Sequence, residues 1–178
     1  MLQAALAELA ESGYGGLTIE AVAGRAGVHK TTLYRQWRDR ETLVSEAIMH
    51  LRDQDLAVPA IGDIRSDLVA LAMAIADQIT QPSVAALVRT LVADGPRLPA
   101  FRDLTAAYWS RRFELAGVPV QRAIARGELP PETDVPLLLE GLIGPLYLRL
   151  LITGGEITQS FVASLVDQLL DGARRGSG

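Results

Sequence analysis

The chain contains no cysteine, which excludes disulfides, thiolate metal sites and a cysteine nucleophile. Its two histidines are His29 and His50. On a helix His50 and Asp53 share a face, but Asp55 points elsewhere and no second histidine joins them, so no metal site is expected. No serine stands near a histidine base, and no glycine-flanked nucleophile occurs. Gly13, Gly15 and Gly16 follow no strand and precede no Lys-Ser/Thr pair, so they do not form a phosphate loop. The N-terminus lacks the charged region and long apolar core of an export signal. Aromatics make up only 5% of the chain, and Lys30 is its one lysine among abundant arginines. That usage suggests a GC-rich bacterial source. No period-2 alternation marks a strand and no internal repeat is visible. These absences leave neither an enzyme nor a cofactor to expect.

What remains is 178 residues, 49% hydrophobic, with a formal charge of −4 and a mean hydropathy of +0.20. An all-α bacterial cytoplasmic protein fits, long enough for a core and for two domains. The informative stretch is 18–44. Thr18 is a good N-cap, and Ile19, Val22, Ala23 and Ala26 follow on one helix face. Gly27 supplies the left-handed residue that ends a helix sharply. A second helix begins near Val28, with Leu33 and Trp37 pointing inward. Lys30 with Tyr34, and Thr31 with Arg35, share a polar face at the same spacing. Two short helices around a glycine turn, the second polar and basic outside, describe a helix-turn-helix. From Ala21 to Arg40 five bases stand against the single acid Asp39. A basic island on an acidic chain is either a solvated face or a phosphate-binding one, and the helix-turn-helix spacing favours the second.

Gly13-Tyr14, Leu17-Thr18, Ala23, Ala26-Gly27-Val28, Thr32-Leu33-Tyr34 and Arg40-Glu41-Thr42-Leu43 resemble the N-terminal domain of the TetR family of transcriptional regulators. Gly144-Pro145-Leu146-Tyr147, Arg149-Leu150-Leu151 and Thr153-Gly154 resemble a C-terminal domain common in that family. Trp37 stands where phenylalanine is common, and His29 where serine is. Members carry a basic arm before the first helix, whereas this sequence starts inside that helix, so no minor-groove contact is assigned. The resemblance implies a double-stranded DNA operator, with His29 and Lys30 at base-reading positions and Tyr34 at a phosphate-contacting one. The DNA-binding set expected is Thr18, His29, Lys30, Thr31, Thr32, Tyr34, Arg35 and Arg40. Of these, Thr18 and Arg40 sit at helix N-termini, where phosphates bind.

The first helix is expected from Leu2 to Glu11, ended by Ser12-Gly13. A fourth starts at Asp39, buries Val44, Ala47, Ile48 and Leu51, and reaches Asp55. Val58-Pro59-Ala60-Ile61-Gly62 divides residues 1–57, the DNA-binding domain, from residues 58–178, a helical ligand-binding and dimerisation domain. Further helices follow from Ile64, from Pro82 and over 100–116, with a break at Pro119 before a short helix ending at Gly127. Residues 134–152 are apolar on nearly all sides. The internal charges Glu140 and Arg149, two prolines and two glycines argue against a membrane span, so the helix needs cover from elsewhere. With the stripes of the last helix, about 157–173, it suggests a homodimer interface involving Leu142, Leu146, Leu150, Phe161, Leu165 and Leu169. The resemblance implies the same pairing. It also implies a pocket for a small-molecule effector, for which Met73, Arg89, Phe101, Tyr108, Trp109 and Phe113 are the candidates. Helix four is the expected lever between pocket and DNA. The reading is a repressor released from a near-palindromic operator by an apolar or amphipathic ligand. The alternative is a ligand-independent DNA-binding or architectural protein.

Overall fold

A computed structural model describes residues 1–52, 60–93 and 99–175. Among them every regular element is helical: α1 (Leu2–Gly16), α2 (Ile19–Ala26), α3 (Lys30–Gln36), α4 (Arg40–Arg52), α5 (Ile64–Ile79), α6 (Pro82–Ala93), α7 (Pro99–Ala125), α8 (Val135–Leu148) and α9 (Gln159–Arg175). A π-helical turn, Arg149–Thr153, extends α8. The chain divides into two compact units, Met1–Asp55 with Ile79–Ser110, and Leu56–Gln78 with Arg111–Gly178. The expected linker at Val58-Pro59 and the end of helix four at Asp55 lie outside the described residues.

In the first unit, local chemistry sets the helix ends. Thr18 Oγ1 accepts from Ala21 N at 3.1 Å and starts α2. Gly27, at φ 67°, closes it with a paired motif: Val28 N donates to Ala23 O and Gly27 N to Gly24 O, satisfying carbonyls the helix end would orphan. Asp39 starts α4 by accepting from both the backbone N–H and the hydroxyl of Thr42. Leu6 and Leu9 of α1, Val22 of α2, Leu33 and Trp37 around α3, and Leu43, Val44 and Ile48 of α4 form one buried core. α1 packs against α2, α4 and, most extensively, α6. Unlike the expected stop at Ser12-Gly13, α1 continues to Gly16 across a kink where Gly13 takes φ 65°. Only glycine enters that region at little cost.

The second unit is built on Leu68, Leu71, Ala72 and Ile75 of α5, Ala116, Val120 and Ala123 of α7, Leu139, Leu142 and Leu146 of α8, and Val162, Val166 and Leu170 of α9. Pro119 does not break its helix as expected. It lies inside the continuous α7, because the buried residues on either side hold that helix against the core and outweigh the lost hydrogen bond. α7 ends in the same paired motif as α2, around Gly127 at φ 75°. Arg65 and Asp167 form a two-bond ion pair between α5 and α9, at 2.7 and 3.0 Å. α8 and α9 approach closely at Gly141, where a Cβ would meet Leu169 Cδ2 at 2.7 Å.

Candidate functional site

α3 is seven residues long, too short to hold itself in water. Leu33 and Trp37 anchor it. Both are buried, and Trp37 Nε1–H donates to Glu46 Oε2 at 2.7 Å. That anchorage turns Lys30, Thr31, Tyr34 and Arg35 to solvent on one side, with Thr32 half-buried beside them. His29 caps the helix N-terminus: Thr31 N donates to its Nδ1 at 3.5 Å, and the Thr31 hydroxyl lies 2.9 Å from the same nitrogen. With Nδ1 accepting, Nε2 is the ring nitrogen that carries a proton and can donate. The two residues at the tip of the helix thus form one polar unit.

Tyr34 is 48% exposed, and its hydroxyl donates to Glu20 Oε1 at 3.2 Å, tying α3 to the first turn of α2. Partial desolvation, and then the Glu20 charge, push its phenol above the usual tyrosine range. Arg40, the first residue of α4, lays its guanidinium 4.6 Å from the centre of the Tyr14 ring. It donates to the carbonyls of Tyr14 at 3.4 Å and Gly15 at 3.5 Å. Thr18 is exposed while capping α2. Thr18 and Arg40 therefore mark two helix N-termini, whose backbone N–H groups attract anions.

The basic island is narrower than the sequence implies. Arg25 is engaged by Glu11 and by Glu8, whose carboxylate also accepts from Ser12 at 2.8 Å. Hydrogen bonds from Ser12 and then Arg25 hold the Glu8 carboxyl below its ordinary value. Glu8 lies on an otherwise apolar helix face, and that was the one available hint of a buried partner. Arg38 pairs with Asp39 at 3.1 Å but stays 91% exposed. Lys30, Arg35, Arg38 and Arg40 are thus the cations left facing outward.

The Asp39 cap carries a pH signature. Bonds from the Thr42 backbone N–H and hydroxyl, then from Arg38, lower its carboxyl from 3.8 to about 2. A depressed folded-state value adds stability above the unfolded value, and that contribution disappears as pH falls toward about 2. Acid titration followed by circular dichroism should therefore show Asp39→Ala less stable than the wild type at pH 6. The difference should shrink between pH 4 and 2.

The expected effector residues are dispersed. Tyr108 is buried and meets the half-buried Trp109 edge to face, with centroids 5.2 Å apart. Met73 and Phe113 are half-buried in the other unit, and Arg89 is exposed on α6. The Phe101 side chain lies outside the described residues. Two clefts share only Arg89 with that set among their described lining residues. One, of about 220 Å³, lies in the first unit among Leu9, Ala10, Gly13, Tyr14, Ala86, Arg89, Thr90 and Ala93. The other, of about 410 Å³, lies in the second unit, where Leu137 and Leu138 of α8 face Leu169, Gly172 and Ala173 of α9.

The interface candidates divide by direction. Leu150, Phe161, Leu165 and Leu169 are half-buried. Leu142 and Leu146 are fully buried, at 0% exposure, and belong to the protomer's own core. Their place on the outer surface is taken by Leu137, Leu148 and Ile152, all exposed. Phe161 sits under the Arg149 guanidinium, 3.6 Å from its ring centre, and Arg149 also donates to Glu156 O, fixing the turn between α8 and α9.

Residues 1–47 match the family described as bacterial regulatory proteins, tetR family, and residues 58–169 the tetracyclin repressor-like C-terminal domain. An uncharacterised HTH-type transcriptional regulator of Mycobacterium tuberculosis is 32% identical over 96% of this chain and 84% of its own length. The DNA-binding transcriptional repressor TetR of Mycobacteroides abscessus is 29% identical, covering 96% of this chain and 90% of that one. Among solved structures, a TetR family transcription regulator is 35% identical with a TM-score of 0.69, covering 96% of this chain and 94% of its own. FadR of Bacillus subtilis, solved with stearoyl-CoA, shares the fold at 15% identity and a TM-score of 0.68, with 99% and 97% covered.

Proposed function

We propose, since this chain belongs to the tetR family of bacterial regulatory proteins and is a DNA-binding transcriptional regulator, that it acts in the cytoplasm as a homodimeric repressor. A small apolar or amphipathic effector releases it from a near-palindromic operator. In this reading residues 1–57 read DNA, and residues 58–178 dimerise and bind the effector. One observation carries it: α3 is pinned by Leu33 and Trp37 so that Lys30, Thr31, Tyr34 and Arg35 stand exposed together beside a His29-capped N-terminus.

The N-terminal residues of α3 enter the major groove, where His29, Lys30, Thr31 and Thr32 meet base edges. Tyr34, Arg35, Thr18 and Arg40 hold the backbone. Arg40 is pre-positioned by Tyr14, which reduces the entropy lost when it meets a phosphate. Repression follows from occupying the operator, and release requires an effector that binds the non-DNA conformation better by a few kcal/mol. The stearoyl-CoA held by a regulator of the same fold supports an amphipathic class.

The dimer reading rests on α8. Val135–Thr153 is long and apolar enough to cross a membrane, yet only 28% of it is buried in the protomer. Prolines at 136 and 145 and the π-helical turn suit a packed helix better than a span. A second copy covers Leu137, Leu148 and Ile152, along with Leu150, Phe161, Leu165 and Leu169, in a four-helix arrangement.

The DNA half is tested by fluorescence anisotropy on a duplex selected from a random pool, titrated with salt. Arg35→Ala and Arg40→Ala should each lower the slope of log affinity against log salt by about 0.9, whatever the sequence. Thr31→Ala should instead relax base preference by about 1–3 kcal/mol at one position per half-site. Unchanged slopes and preferences in all three variants would reject this face as the reader.

A further inference from the structure

The cleft between α1 and α6 is the feature the reading above leaves unused. We propose that it binds a small apolar carboxylate, and that binding there changes DNA affinity through Tyr14 and Arg40. The regulatory half of this inference rests on the proposed DNA-reading role; the ligand site itself does not.

Size, lining and charge define the ligand. At about 220 Å³ the cleft lies below the roughly 300–1,000 Å³ range of drug-sized pockets, which limits an occupant to one ring or a short chain. Its walls are Leu9, Ala10, Ala86, Ala93 and the Tyr14 ring, and small residues on both facing helices leave the space. Apolar walls and an aromatic ring favour a flat apolar body. Among the described residues that line it, Arg89 carries the only charged side chain, and none is an acid. Its planar guanidinium offers the paired donors that match a carboxylate. A cation would meet like charge there, and a neutral ligand would forgo the paired bonds.

The cleft touches the kink in α1. Gly13, at φ 65°, lines it and is the kink of α1. Tyr14 lines it as well, and the same ring carries the Arg40 guanidinium at 4.6 Å. The carbonyls of Tyr14 and Gly15 receive the Arg40 hydrogen bonds, and Arg40 opens α4 immediately after the Asp39 cap. A molecule lodged against Tyr14 bears on a residue that positions Arg40. Linkage then requires DNA to change the ligand's affinity by the same factor.

Benzoate is the probe. Calorimetric titration of the full chain should show saturable binding that Arg89→Ala weakens at least about tenfold. Ala10 is exposed, so Ala10→Leu fills the cleft from its mouth; it should weaken binding as much while leaving the thermal midpoint near that of the wild type. Benzyl alcohol and benzylamine should bind at least about tenfold more weakly than benzoate. Saturating benzoate should shift the affinity for the selected duplex about fivefold or more in the wild type and not in Arg89→Ala. No saturable binding below about 10 mM, undiminished binding in both variants, or benzylamine binding as tightly as benzoate would overturn the site. Binding without any shift in DNA affinity would overturn the coupling and leave the site standing. A protein that binds no DNA at all would reject the DNA-reading role, while the calorimetry still reads the cleft.

Discussion

Trp37→Ala should cost about 3–5 kcal/mol of stability, as removal of a buried tryptophan does, and should abolish DNA binding. Folded domains have only about 5–15 kcal/mol in total, so the variant should melt well below the wild type or fail to accumulate. The cause is specific to α3. Its seven residues hold their place through Leu33 and Trp37, and the indole N–H also satisfies Glu46. Truncation leaves a void and frees Glu46 from its tryptophan partner, and the helix loses its anchor to α4. Trp37→Phe provides the control. It keeps most of the ring and loses one hydrogen bond to a charged group, about 1.5–3 kcal/mol, so it should fold and bind DNA with a lowered midpoint. Lys30→Ala, on the exposed side, should stay within about 0.5 kcal/mol of the wild type. Thermal melts by circular dichroism, run beside anisotropy, separate the three. An alanine variant that melts with the wild type would mean that Trp37 does not hold the recognition helix.

The helix-turn-helix was readable because its boundaries are local. Thr18 bonds three residues ahead, Gly27 closes within five, and Asp39 caps with Thr42, so residue type and spacing carry the information. The apolar spacing of Leu33 and Trp37 was equally local. Where long-range packing decides, the sequence was less informative. Pro119 reads as a breaker, yet Ala116, Val120 and Ala123 hold α7 straight through it. Arg25 reads as a cation available to DNA, but its partners Glu8 and Glu11 lie on another helix. His29 reads as a base-reader by resemblance alone. Its capping bond, with Nδ1 accepting from Thr31, needs coordinates. The hardest case is α8. A helix apolar on all sides gives no periodic clue to which side faces its own protomer, so Leu146 and Leu148 look equivalent until packing distinguishes them.

That distinction gives the second large prediction. Leu146→Asp should unfold the second unit, because Leu146 is at 0% exposure and an unpaired buried carboxylate costs several kcal/mol. Leu148 and Ile152 are 48% and 76% exposed. A Leu148→Asp, Ile152→Asp double variant should therefore keep its helicity and melting temperature. If α8 and α9 pair across a two-fold axis, however, the double variant must bury four carboxylates in an apolar interface, and it should be monomeric by light scattering. Losing the dimer converts two linked half-site contacts into independent ones, which weakens operator binding by about 10²–10⁴-fold. Non-specific binding at low salt should persist, because the exposed face of α3 is untouched. A wild type that is already monomeric at micromolar concentration would end the interface proposal. A dimeric double variant would move the interface away from this face of α8. Leu137 then decides how far the interface extends. It is 64% exposed and lines the 410 Å³ groove between the start of α8 and the end of α9. Leu137→Asp should weaken the dimer if the partner reaches that groove, and leave it intact if the contact is confined to the Leu148 end.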